Sequence, residues 1–301
     1  MTTLLHGNEP SGTRALHRFL KESREPATNV LALVASVGAA LEPPVFAHRT
    51  RPGRRDLNRC FLPPYLDAEG EFARDIIQGL REACPESLVD LHNTSGSGPA
   101  YGVATRVDPV RLSVTARFSE QYVLTDIRLG SLMEATEDDF PTVTIECGGA
   151  QSTAADRIAF EGLTRYLCDD QLLEEPSDAA RQMIVLEHPV RILLASGASV
   201  AYADAPVAGR DVTLRKDIDR FNTIALSSSE PIGWAQALDS LVALDSRGVE
   251  RRHEMFAIRG GRLHATERLQ LFMATTNEQI AAEDCLFYAV RCHATSTHEA
   301  E

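Results

Sequence analysis

Near the start of the chain, His6 and Glu9 stand three residues apart, after a short apolar run and before a helical pattern. An imidazole nitrogen and a carboxylate oxygen are ligand types of a catalytic zinc, and Gly7 permits a tight turn between them. Alone, this pair reads equally as a polar loop leading into a helix. Ser87 to Thr94 reads as a strand that runs out into a Gly/Ser loop, and His92 lies at its end. In an open α/β sheet, ligands collect at the carboxyl ends of strands. His92 would then complete a three-ligand set with His6 and Glu9, leaving one position for water. Pro141 to Glu146 is a β-branched run that ends in a carboxylate, which is costly to bury unless used or paired. Cys147, beside it, reads as a small core residue rather than a nucleophile. A Pro/Gly-rich loop over 39–55 delivers Arg51, then Arg54, Arg55, Asp56, Leu57, Asn58 and Arg59. These bring guanidinium groups, a carboxylate and an amide together; the plainer reading is a solvated basic loop.

The surrounding elements form an α/β pattern. Helices are expected over 10–23 (apolar stripe Leu16, Phe19, Leu20), 69–84 (Phe72, Ile76, Ile77, Leu80) and 154–168 (Ile158, Phe160, Leu163, Leu167). Strands are expected over 29–35 and 101–106, with 109–120 helical or irregular. A boundary is expected over 172–181, between an α/β domain (1–175) and a β-rich barrel or sandwich (180–301). In the second domain, β-leaning runs recur over 183–187, 191–195, 199–202, 223–226, 270–275 and 286–290, with Trp234 packing among them. Residues 295–301 are expected to fray.

The net charge of −13 argues against a nucleic-acid partner, which needs a basic face. No apolar run approaches the roughly 20 residues of a membrane span, and no signal peptide is evident. The six cysteines show no Cys-x-x-Cys spacing, which fits reduced thiols in a cytoplasmic protein.

Four segments thus stand in order: His6-Gly7-Asn8-Glu9, Asp56-Leu57-Asn58-Arg59, Asp90-Leu91-His92-Asn93-Thr94 and Thr144-Ile145-Glu146. Together they resemble the aspartoacylase and succinylglutamate desuccinylase family, zinc amidohydrolases with the zinc-carboxypeptidase fold. The motifs cover about residues 1–170; the remainder is similar in size and β character. The resemblance implies a mixed sheet flanked by helices, with the β-rich domain capping the site. It implies one Zn2+ per chain on His6, Glu9 and His92, with Glu146 as general base. Arg51, five residues before Asp56, would polarise the scissile carbonyl. Asn58 and Arg59 would hold a substrate carboxylate, and Asp56 would orient His6. The family's specificity arginine corresponds to Thr136, ten residues before Glu146, and Arg128 is the nearby substitute. Glu134, Glu137, Asp138 and Asp139 read as a solvated loop, ahead of a recognition site for a cationic leaving group. Relatives also carry more chain than the five residues that precede His6, so a strand there is expected to be lost or to start earlier. The implied reaction is hydrolysis of a small N-acetyl or N-succinyl amino acid by metal-activated water, in a homodimer. A zinc carboxypeptidase acting on small peptides and a non-catalytic metal- or ligand-binding homologue are the competing readings.

Overall fold

The computed structural model describes residues 1–171 and 177–292. The expected fraying over 295–301 and most of the expected boundary, residues 172–176, lie outside the described residues. The chain divides into two compact units: Met1–Thr94 with Ala100–Val185, and Ser95–Pro99 with the chain from Leu186 onward.

The first unit runs β1 (Thr2–Thr3), α1 (Ser11–Lys21), β2 (Leu33–Val34), α2 (Val37–Ala40), α3 (Ala68–Ala83), β3 (Leu88–Thr94), β4 (Tyr101–Ala104), α4 (Pro109–Ala116), β5 (Gln121–Leu124), α5 (Leu132–Ala135), β6 (Thr142–Gly149), α6 (Thr153–Cys168) and α7 (Asp178–Arg181). β7 (Ile184–Glu187) completes a seven-stranded sheet in the order β2-β1-β3-β6-β4-β5-β7. β2, β1, β3 and β6 are parallel, and β4 turns antiparallel against β6. The strand ahead of the His6 loop is present, as two residues between β2 and β3.

Every residue of β3 is buried, as in a parallel strand covered on both faces. Its alternation sorts two cores. Val89 and Leu91 join one with Leu16, Phe19, Phe160 and Leu163 of α1 and α6. Leu88 joins the other with Ile76, Ile77 and Leu80 of α3. Asp90 and His92 share the parity of Leu88, so the strand's period of two aims them at one face.

Three apolar stripes differ from expectation. Leu20 is 66% exposed and Phe72 is 43% exposed. On α6, Ile158 is only half-buried, while Ala155, Ala159, Gly162 and Tyr166 pack inward. Small residues win there because the contact is close: a Cβ on Gly162 would lie 2.1 Å from Phe118 Cδ1. The 29–35 strand contracts to Leu33–Val34, and Val30 and Leu31 are exposed.

The second unit adds β8 (Val190–Leu194), β9 (Val200–Ala203), β10 (Val212–Arg215), β11 (Pro231–Ala235), β12 (Leu241–Leu244), α8 (Arg252–Met255), β13 (Phe256–Arg259), β14 (Arg262–Ala265), β15 (Leu269–Phe272), α9 (Glu278–Glu283) and β16 (Phe287–Arg291). They form a five-stranded sheet (β13-β14-β11-β10-β9) and a four-stranded sheet (β12-β8-β16-β15). The expected 223–226 strand is absent as such; Leu226 makes only an isolated bridge to Leu269. Trp234 lies half-buried in β11. Among the described residues no helix is long and apolar enough to cross a membrane.

The packing at Gly162 predicts that Gly162→Ala lowers the urea unfolding midpoint. Overpacking costs about 1–3 kcal/mol and more than offsets the helix gain. Gly79→Ala, on the exposed side of α3 with nothing within 4 Å of the added Cβ, should raise it, by about 1 kcal/mol or less. Equal shifts in the two variants would contradict this account of the α6 contact.

Candidate metal centre

The loop after β1 is shaped by close approach. A Cβ on Gly7 would lie 2.6 Å from Ala39 Cβ and from Ala40 N of α2, so only glycine fits. The Gly7 amide donates to Arg49 O at 2.9 Å, and Glu9 N donates back to His6 O at 3.2 Å. This turn brings His6 and Glu9 to the carboxyl end of β3, where His92 emerges. All three are buried, with 3%, 6% and 2% exposure.

One carboxylate spans two imidazoles. His6 Nδ1 lies 2.8 Å from Glu9 Oε1, and His92 Nδ1 lies 2.8 Å from Glu9 Oε2. The ligand-type atoms of the three residues all fall within 4.8 Å of one another. The far ring nitrogens are backed by carboxylates: His6 Nε2 sits 3.0 Å from Asp56 Oδ1, and His92 Nε2 sits 2.8 Å from Asp90 Oδ2. Such partners orient a ligating imidazole and raise its basicity, leaving Nδ1 for the metal. Asp90 is fully buried and accepts from Thr2 Oγ1 at 2.6 Å. Asp56 Oδ2 accepts from Arg49 Nε and Nη2 at 3.0 and 2.9 Å, and Asp56 Oδ1 accepts from Asn58 N at 2.9 Å.

Glu146 stands beside His92 in the parallel β3–β6 register. Burial pushes its carboxyl up to about 7, against the opposing pull of His92. Its Oε2 is buried and has no hydrogen-bond partner among the described residues. Burial pushes Glu9 upward too, but His6 and His92 together outweigh it and hold this carboxyl well below the usual range. Burial alone would lower His92; Asp90 and Glu9 raise it well above the ordinary imidazole value. Three buried carboxyls, of Glu9, Asp90 and Glu146, stand around the two buried imidazoles, a donor set suited to a divalent cation. The donor set therefore fits a three-ligand metal site, with Glu146 Oε2 as an unsatisfied buried acceptor nearby.

The remaining expected site residues divide. Asn58 is buried, and its Oδ1 accepts from Leu132 N at 3.1 Å. Arg59 is half-buried, and its charge helps to hold the Asp56 carboxyl down. Arg51 is exposed and lays its side chain over Gly38. Arg49 reaches the cluster instead. Besides gripping Asp56, it puts Nη1 3.5 Å from Glu9 Oε1, and its charge acts on Glu146. Nothing in the loop's composition distinguished the two arginines. The sequence reading gives Asp90 no role, although its place two residues before His92 puts it on the same strand face.

Arg128 is half-exposed and ion-paired to Glu137 at 2.7 Å. Thr136 is fully buried and bonds to Leu132 O and Thr142 Oγ1. The acidic stretch is not a freely solvated loop. Glu134 is buried and accepts from Leu129 N, Gly130 N and Ser131 Oγ. Asp138 pairs with Arg106, and Asp139 with Arg81. Cys147 is fully buried in the core, and burial raises its thiol far from the reactive range.

No protein-family model matches the sequence, and no curated protein does. Solved structures do match. The fold is similar to that of the succinylglutamate desuccinylase/aspartoacylase from Rhodobacter sphaeroides, with a TM-score of 0.58 at 12% identity over 98% of this chain and 84% of that one. The succinylglutamate desuccinylase from Vibrio cholerae matches with a TM-score of 0.57 at 14% identity, over 99% and 82% of the two chains. Murine aminoacylase 3 matches with a TM-score of 0.56 at 15% identity, over 96% and 93%. The chain therefore has the fold of these succinylglutamate desuccinylase and aspartoacylase structures.

The hydrogen bonds behind the imidazoles predict that Asp56→Asn and Asp90→Asn each weaken zinc affinity by about 10–100-fold in chelator competition. Arg51→Ala should leave it unchanged. A loss of affinity in Arg51→Ala as large as in Asp56→Asn would overturn the placement of the two arginines.

Proposed function

We propose that the protein is a zinc-dependent hydrolase of small N-acyl amino acids, of the N-acetyl or N-succinyl kind. The observation that carries this reading is the convergence of both Nδ1 atoms on Glu9 with Glu146 beside them in register. The names of the similar structures (desuccinylase, aspartoacylase, aminoacylase) support the substrate class. His6, Glu9 and His92 would hold the metal, which supplies a Lewis acid that acidifies water and polarises an amide carbonyl.

The chain's own groups do the rest. Glu146, with a carboxyl near 7 and an unsatisfied Oε2, takes a proton from the attacking water and returns it to the leaving amine. Arg49, next to Glu9, offsets negative charge that develops on the amide oxygen, the role first expected of Arg51. Arg59, whose Nη1 also donates to Asn58 O at 2.9 Å, is assigned to the substrate carboxylate, with Asn58 beside it. Arg128, half-exposed and ion-paired to Glu137, and the 134–139 carboxylates are given no part in side-chain recognition.

Zinc-loaded protein should release free amine from at least one member of a panel of N-acetyl and N-succinyl amino acids, including aspartate, glutamate, ornithine and diaminobutyrate. Chelator treatment should abolish the release. Glu146→Gln should keep its metal and lose about 10²–10⁴-fold in turnover. Metal binding without release from any member would favour a peptide substrate or a non-catalytic homologue, and near-normal turnover in Glu146→Gln would remove Glu146 as the base.

A further inference from the structure

The β3–β6 ladder changes register beside the metal centre. His92 pairs with Glu146, but Thr94 pairs with Gly149. One residue of β3, Asn93, therefore faces two of β6, Cys147 and Gly148, which is a β-bulge immediately after Glu146. Gly148 adopts φ of 102°, a conformation that favours glycine. A bulge leaves backbone groups outside the ladder, and buried ones need partners.

Asn93 supplies them from both ends. Its side-chain Nδ2 donates to Gly148 O at 2.9 Å and to Ser11 Oγ at 3.0 Å. Its Oδ1 accepts from Ser11 N, at the first residue of α1, at 3.1 Å. Its own backbone N–H donates to Glu9 Oε2 at 3.1 Å. Asn93 is 2% exposed, so none of these bonds is readily exchanged for water. One residue thus fastens the bulge after the candidate base, the helix start two residues past the candidate ligand, and the ligand carboxylate itself.

We propose that Asn93 is a positioning residue that sets Glu9 against Glu146: its side chain locks the bulge, and the locked bulge aims its backbone N–H at Glu9 Oε2. The proposal rests on the metal-site reading above. The N–H and His92 Nδ1 both meet Glu9 Oε2, while Oε1 faces His6 and Arg49, so each carboxylate oxygen has its own partners. Replacing the side chain leaves the N–H in place chemically but removes three bonds that hold its direction.

The test uses full-length Asn93→Ala and Asn93→Ser; the serine keeps a polar group but cannot span Ser11 and Gly148 together. Zinc affinity is read by chelator competition, and ligand geometry by the visible absorption of the Co2+-loaded protein. Both variants should bind zinc about 10–100-fold more weakly, with an altered Co2+ band. Gly162→Ala, strained away from the site, should keep wild-type affinity and spectrum although less stable. Wild-type affinity and an unchanged Co2+ band in the Asn93 variants would overturn the proposal while leaving the metal site standing. Failure of the wild-type protein to bind either metal would overturn the metal-site reading itself, and the proposal with it.

Discussion

A buried carboxylate between two buried imidazoles is the interaction on which the candidate site depends. Glu9 contributes one oxygen to each ring, and each ring has a second carboxylate at its far nitrogen. The result is a chain of alternating charge or polarity that runs Arg49, Asp56, His6, Glu9, His92, Asp90, Thr2. Burying any one of these carboxylates alone would cost several kcal/mol. In sequence each has a partner, and the only end that approaches solvent is the arginine. Removing one link strands its neighbours, which is why outer carboxylates can matter nearly as much as the groups that face the metal.

The sheet makes this arrangement possible by parity and by a controlled irregularity. Along β3 the even positions Asp90 and His92 share a face, and parallel pairing sets Glu146 beside His92. Apolar odd positions meanwhile anchor the strand in the α1/α6 core. Past Glu146 the ladder shifts register at the bulge and ends at Gly149, four residues before α6 begins at Thr153. The rigid part of the strand thus carries the chemistry, and the departure from regularity falls where loop and helix must be tied to it.

Much of this was legible in the sequence because the relevant residues sit where periodic patterns end. His92 and Glu146 close apolar runs, and a polar residue there stands out against its neighbours. His6 and Glu9 have a short local spacing, and Asp56 precedes an Asn-Arg pair. Arg49 was not legible, since residues 41–56 have no period from which to infer direction, and counting back from Asp56 led to Arg51 instead. Ile158 was misjudged because a periodic stripe shows which side of a helix is apolar but not how close the neighbouring element comes; at α6 that distance selects Ala155, Ala159 and Gly162. Strands β10 to β14 escaped notice for a related reason. They are four or five residues long, and in β10 and β14 Thr213, Arg215, Arg262 and His264 interrupt the apolar character.

X-ray absorption of zinc-loaded protein would read whether His6, Glu9 and His92 together form a metal site. The expected first shell holds nitrogen and oxygen only, at about 2.0–2.2 Å, with the outer scattering of two imidazoles. That imidazole signal should diminish in His92→Ala. A sulfur shell near about 2.3 Å, or a spectrum without imidazole scattering, would contradict it.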